Sequence, residues 1–120
     1  MTERKKILIL DDEDEILELL ELVLGSQYQL FLKNNLDNLD QDLNEFKPDL
    51  IVIDHFIGET TSKAMLNHTL QKYTIPVILH SGHEEIEKLA APADIAAFIR
   101  KPSGIAEIRE CIADVLARNI

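Results

Sequence analysis

A chain of 120 residues has room for one domain, and the scaling of folded surface with mass lets it bury roughly two-thirds of its surface around a single core. With 46% apolar and 28% charged residues it is not a disordered chain, and a net charge of −10 leaves no basic footprint for nucleic acid or an anionic membrane. The one cysteine, Cys111, excludes an intramolecular disulfide, no apolar run reaches the roughly 18 residues of a membrane span, and the four apolar residues after Lys6 are too few for a signal-peptide core. The composition reads as that of a soluble cytoplasmic domain.

Short apolar runs alternate with amphipathic segments. Ile7–Leu10 is a continuous apolar run, the pattern of a strand buried on both faces. Residues 13–24 read as a helix with Gly25 at its C-cap. Ile16, Leu17, Leu19, Leu20, Val23 and Leu24 form its core arc, and Leu22 lies outside that arc. Residues 28–32 form a short strand with polar interruptions, suited to a sheet edge. Leu36, Leu39, Leu43 and Phe46 recur at helical spacing, and Pro48 ends that helix. Leu50–Ile53 is another buried strand, ending at Asp54.

Residues 60–73 read as a third helix, carrying Leu66, Leu70 and Tyr73 inward. A strand over residues 77–80 follows Pro76, and a short helix spans 83–91, stopped near Pro92. A last short strand covers 97–99 and ends before Pro102. Ile105, Ile108, Ile112 and Val115 place the final helix over 104–118. Five strand–helix repeats in about 110 residues predict an open, parallel, doubly wound sheet covered on both faces.

In such a sheet the active crevice lies beyond the carboxyl ends of the strands. Asp11, Asp12 and Glu13 follow the first strand, Asp54 the third, His80-Ser81-Gly82 the fourth and Arg100-Lys101-Pro102 the fifth. A strand order of 2-1-3-4-5 makes these neighbours. Carboxylates gathered at short range repel unless a cation sits among them, and oxygen-only ligands at an open site favour Mg²⁺. A carboxylate is also a nucleophile that can form an acyl phosphate. Phosphoryl transfer asks mainly for positioning and charge neutralisation, which a metal, an ammonium and a hydroxyl supply.

The runs Ile7–Glu13 and Asp49–Asp54, Ser81-Gly82 after a strand, and Phe98–Pro102 together resemble a response-regulator receiver domain of two-component signalling, over nearly the whole chain. The resemblance implies a single flavodoxin-like (βα)5 domain over residues 5–119, with strand order 2-1-3-4-5 and no output domain. Asp54 becomes the phosphoacceptor. Asp12 and Asp54 become direct ligands of Mg²⁺, with Mn²⁺ as a substitute; Asp11 holds the ion largely through water, and the Phe56 carbonyl is a further ligand. Lys101 and Ser81 contact the phosphoryl group, and Phe98 is the aromatic that changes rotamer with Ser81. The implied partners are a sensor histidine kinase or histidine phosphotransfer protein and a downstream protein target, with no direct nucleic acid and no membrane. The surface that switches is that of the fourth helix, fifth strand and fifth helix, and the Lys101–Pro102 bond is expected to be cis.

The chain departs from the family pattern at several positions. Ser81 stands where Thr is commoner, Gly58 and Asp14 replace prolines, and Asp94-Ile95 replaces a Gly-Ala pair.

Other readings stay open from the residues alone. The run Asp11–Glu15 suits a helix N-terminus, Ser81-x-x-Glu84 is a capping-box pattern, and Lys101 by itself reads as a surface lysine. His80-x-x-His83, with His55 nearby, offers a zinc-like spacing or a modulating role at the pocket. His68 reads as exposed and Cys111 as a small packed residue. Leu22 is a stray apolar residue or part of a docking patch for a phosphodonor helical bundle. The rival functions are a Mg²⁺-dependent phosphohydrolase of the haloacid-dehalogenase type, which would want Asp where Glu13 stands, a flavodoxin, and a degenerate receiver that signals without phosphate.

Overall fold

The computed structural model describes residues 4–54, 56–57, 60–61, 75–81, 96–100 and 104–118. Its main sheet is built from β1 (Lys6–Leu10), β2 (Gln29–Lys33), β3 (Leu50–Ile53), β6 (Val77–Ser81) and β7 (Ala97–Arg100). They lie in the order β2-β1-β3-β6-β7, and every pairing is parallel. This is the expected 2-1-3-4-5 order. A separate two-residue hairpin, β4 (Phe56–Ile57) with β5 (Thr60–Thr61), follows β3. The described helices are α1 (Asp14–Leu24), α2 (Leu39–Phe46) and α3 (Ile105–Arg118).

Strand alternation divides the apolar residues between two faces. Ile7, Ile9, Leu50, Val52, Ile78 and Ile99 pack with Leu17, Leu20, Val23 and Leu24 of α1 and with Ile108, Ile112 and Val115 of α3. Leu8, Leu10, Ile51, Ile53, Val77 and Leu79 turn the other way, against Leu39 and Leu43 of α2. The edge strand β2 is only half-buried, as its mixed sequence implies. Phe31 on that edge meets Phe46 of α2 edge-to-face, with ring centroids 5.5 Å apart.

The carboxyl end of α1 is tied down by groups distant in sequence. Its carboxyl-terminal carbonyls accept bonds from arginines: Arg4 reaches the Gly25 oxygen and Arg109 of α3 the Val23 oxygen, each at 3.2 Å. No basic residue lies in the last turn of α1 itself, so these two cations supply the charge its dipole favours. Gly25 is the C-cap, but with φ −63° it is right-handed rather than left-handed. A Cβ there would stand 2.6 Å from the Glu21 carbonyl oxygen, and that close approach explains the glycine. The left-handed positions fall instead on Asn38 (φ 58°) and Lys47 (φ 53°), at the two ends of α2.

Several sequence expectations are corrected. Residues 60 and 61 are strand, so a helix over 60–73 cannot begin there; residues 62–73 and the helix expected over 83–91 lie outside the described residues. Leu36 packs on the core from the loop before the helix, because α2 begins only at Leu39. Leu19, placed in the core arc of α1, is 41% exposed, because the sheet meets a narrower face of the helix than the leucines could fill. Leu22 is 83% exposed, outside the arc as expected.

Candidate functional site

The site grows from the register of the two central strands. Leu10 of β1 stands beside Ile53 of β3, so the residues that follow, Asp11 and Asp54, leave the sheet side by side. Hydrogen bonds extend the ladder past both strand ends. Asp54 donates its backbone N–H to the Leu10 carbonyl at 2.9 Å, and Asp11 donates its own to the Lys33 carbonyl at 3.0 Å. The Asp11 carboxylate then accepts the Glu13 N–H at 2.9 Å, the Asx-type bond that turns strand into helix. Asp11 therefore serves the helix entrance and the acidic pocket together. Glu13, the N-cap of α1, makes no side-chain capping bond.

One carboxylate oxygen from each of Asp11, Asp12 and Asp54 can be chosen so that all lie within 4.8 Å of one another. Asp11 is 2% and Asp54 8% exposed, whereas Asp12 faces solvent. Charges of one sign held this closely repel, and a hard divalent cation offsets the repulsion. The donor set suits such an ion: it is all oxygen, partly buried, and open on the Asp12 side.

Other residues of this edge are placed differently from one another. Lys33, at the end of β2, bonds the Asp42 carboxylate and the Asp37 carbonyl, and is thereby tied to the α2 region. His80 is 5% exposed and lines an apolar crevice with Leu20, Leu24, Ile108 and Ile112. It lies on the core side facing α1 and α3, and the carboxylate cluster forms without it. The alternation that turns Ile78 to that face turns His80 there as well. Ser81 ends β6 and pairs in register with Arg100; Phe98 pairs with Leu79. For Ser81, Phe98 and Phe56 the backbone is described. Lys101, Pro102 and their peptide bond, with Gly58, His55, His68, His83, Pro92, Asp94 and Ile95, lie outside the described residues.

The hairpin after Asp54 was not foreseen from the sequence. Its pairs are Phe56 with Thr61 and Ile57 with Thr60, leaving a two-residue connection. Phe-Ile and Thr-Thr flanking a Gly-x pair is a hairpin signal that the helix reading of residues 60–73 obscured.

A parallel 2-1-3-4-5 sheet with an acidic triad at the carboxyl ends of its central strands defines a doubly wound α/β domain with a candidate cation site at its switch point. The description of the response regulator receiver domain matches residues 7–113, and the chain belongs to that family. It is 30% identical over 86 residues to the regulatory protein VanR of Enterococcus faecium, covering 70% of this chain and 37% of the relative. It is 26% identical over 109 residues to the transcriptional regulatory protein KdpE of Staphylococcus aureus (strain NCTC 8325 / PS 47), covering 88% and 47%. The chain thus spans less than half the length of these curated relatives. Among solved structures, the N-terminal domain of the nisin resistance regulator NsrR, a lantibiotic response regulator, superposes with a TM-score of 0.86 at 27% identity, covering 95% of this chain and 99% of that one. The chain is a receiver domain of the two-component response-regulator type, a class that works with sensor histidine kinases. The phosphohydrolase alternative is not favoured. Among the described residues, no helix is long and apolar enough to cross a membrane.

Proposed function

We propose that this receiver domain, over residues 5–119, accepts a phosphoryl group on Asp54 from a phosphohistidine of a sensor histidine kinase or a histidine phosphotransfer protein. The single observation that carries the reading is the convergence of Asp11, Asp12 and Asp54 within 4.8 Å at the ends of β1 and β3. A carboxylate oxygen of Asp54 attacks phosphorus as the phosphorus–nitrogen bond breaks, and the imidazole leaves with the bonding pair. Mg²⁺, with Mn²⁺ as a substitute, supplies charge neutralisation when bound. Asp12, Asp54 and the Phe56 carbonyl would hold it directly and Asp11 largely through water. The geometric closeness of the three carboxylates supports that set.

Lys101 and Ser81 take the roles of phosphoryl contacts in this reading, and Phe98 that of the aromatic answering Ser81. Phosphorylation adds a charge of about −1.5 to −2 and biases a protein-binding surface toward a downstream target. The domain acts in the cytoplasm as a phosphoprotein switch rather than as an enzyme with turnover, and contacts neither nucleic acid nor membrane directly. The test is intact mass after incubation with Mg²⁺ and acetyl phosphate. Wild type gains one phosphoryl mass, labile at alkaline pH, and Asp54→Asn gains none. Equal labelling of the substituted protein rejects Asp54 as acceptor.

A further inference from the structure

The turn that carries Asp12 is held at both ends by consecutive residues of a distant loop. β1 ends at Leu10 and α1 begins at Asp14, so Asp11, Asp12 and Glu13 form the connection. At its start the Asp11 N–H donates to the Lys33 carbonyl at 3.0 Å. At its end Asn34 Nδ2 donates to Asp14 Oδ1 at 3.1 Å, across 20 residues of sequence. Asn34 is itself oriented. Its Oδ1 accepts from Asn35 Nδ2 at 3.0 Å, and Asn35 Oδ1 accepts the Asp37 N–H at 2.9 Å. The Lys33 ammonium then bonds the Asp37 carbonyl and the Asp42 carboxylate, which closes the loop on itself and pins it to α2. With its oxygen engaged by Asn35, the Asn34 amide offers Asp14 its N–H.

Asp11 and Asp54 owe their places to main-chain bonds that extend the sheet, whereas Asp12 is exposed and lies one residue past the last of them. Where Asp12 stands relative to Asp11 and Asp54 therefore depends on the first turn of α1. Glu13 adds no side-chain cap to fix that turn. Asp14 is repelled by the acids that precede it, and a neutral amide donor holds it against that repulsion. Asn34 and Asp14 are both exposed, so their bond adds little to the core and acts mainly on local orientation. The family pattern has proline where Asp14 stands, and proline offers no side-chain acceptor, so the contact arises from this chain's own departure. We propose, on the cation site of the phosphoacceptor reading, that Asn34 is a positioning residue: it holds, through Asp14, the turn that presents Asp12 to the ion.

The whole domain is titrated with Mg²⁺ and followed by amide chemical shifts, and its metal-free stability is read from the urea midpoint. Asn34→Ala should weaken Mg²⁺ binding about five-fold, the scale of one solvent-exposed hydrogen bond, and leave the metal-free midpoint unchanged. Exchanging the partners, Asn34→Asp with Asp14→Asn, keeps the net charge and remakes the bond with its donor reversed. That exchange should bring affinity back to within about two-fold of wild type. In an Asp14→Ala background, Asn34→Ala should cost nothing further. Unchanged affinity in Asn34→Ala, an exchange no better than the single substitution, or a further loss in the Asp14→Ala background would overturn the inference. So would a loss of affinity matched by an equal loss of metal-free stability, which marks Asn34 as merely structural. Wild type and Asn34→Ala binding Mg²⁺ equally well rejects the positioning role alone; a wild type that binds no Mg²⁺ rejects the cation site and the positioning role with it.

Discussion

Asp54 donates its backbone N–H to the Leu10 carbonyl at 2.9 Å, one residue beyond the last paired position of β3. That bond fixes Asp54 to the strand that Asp11 and Asp12 directly follow. The acids are thus held together by main chain, and their mutual repulsion is opposed by the sheet.

Removing one of those charges should therefore relax the metal-free fold while damaging the site. Asp12→Asn is expected to raise the melting temperature without metal by roughly 2–4 °C and to lower Mn²⁺ affinity by about ten-fold or more. Differential scanning fluorimetry with and without Mn²⁺ checks both. Unchanged metal affinity would remove Asp12 from the site.

Two backbone positions should respond in opposite directions. Lys47 holds φ 53° and closes α2 through its N–H to the Leu43 carbonyl at 3.1 Å. Lys47→Gly relieves a left-handed residue and should stabilise the fold by about 0.5–1 kcal/mol. Gly25→Ala puts a Cβ 2.6 Å from a backbone oxygen and should cost about 1–2 kcal/mol. Urea denaturation gives both values, and the same sign for the two would contradict this account.

Arg109 joins α3 to the last turn of α1, 86 residues away in sequence. Arg109→Ala should cost about 1 kcal/mol, and Arg109→Lys should recover part of it. Hydrogen exchange at the α1 carboxyl end should rise in the alanine variant more than at β1.

Cys111 is half-buried beside the core, and burial pushes its thiol above the ordinary value, outweighing the opposing Arg118 and aided by Asp114 and Glu107. The folded protein thus holds the proton more tightly than the unfolded chain. Its stability contribution is whole below the unfolded thiol's pKa of roughly 8.5 and is lost as pH rises through the folded value. Alkylation of native protein near neutral pH should be slower than that of a free thiol, and Cys111→Ala should flatten the alkaline decline in stability.

The central strands were legible because Ile7–Leu10 and Leu50–Ile53 are apolar on both faces, and only a sheet covered twice asks for that. The acids at their ends were legible for the same reason, since strand order alone makes Asp11 and Asp54 neighbours. Leu19 was misplaced because periodicity gives the centre of a buried arc better than its edges. The hairpin at Phe56–Thr61 escaped because two residues per strand carry no alternation to read. His80 was drawn toward the pocket by its place at a strand end; the face it takes follows from Ile78, two residues earlier.

The amides of Asp11 and Asp54 are bonded to Lys33 and Leu10, so they continue the ladders of a strand flanked on both sides. Such amides should open only when the whole domain unfolds. On the proposed phosphoacceptor reading, the carboxylate cradle then needs almost no rearrangement when a cation or phosphoryl group arrives, and any message leaving Asp54 has to travel through movement at the rim of the sheet rather than through its middle.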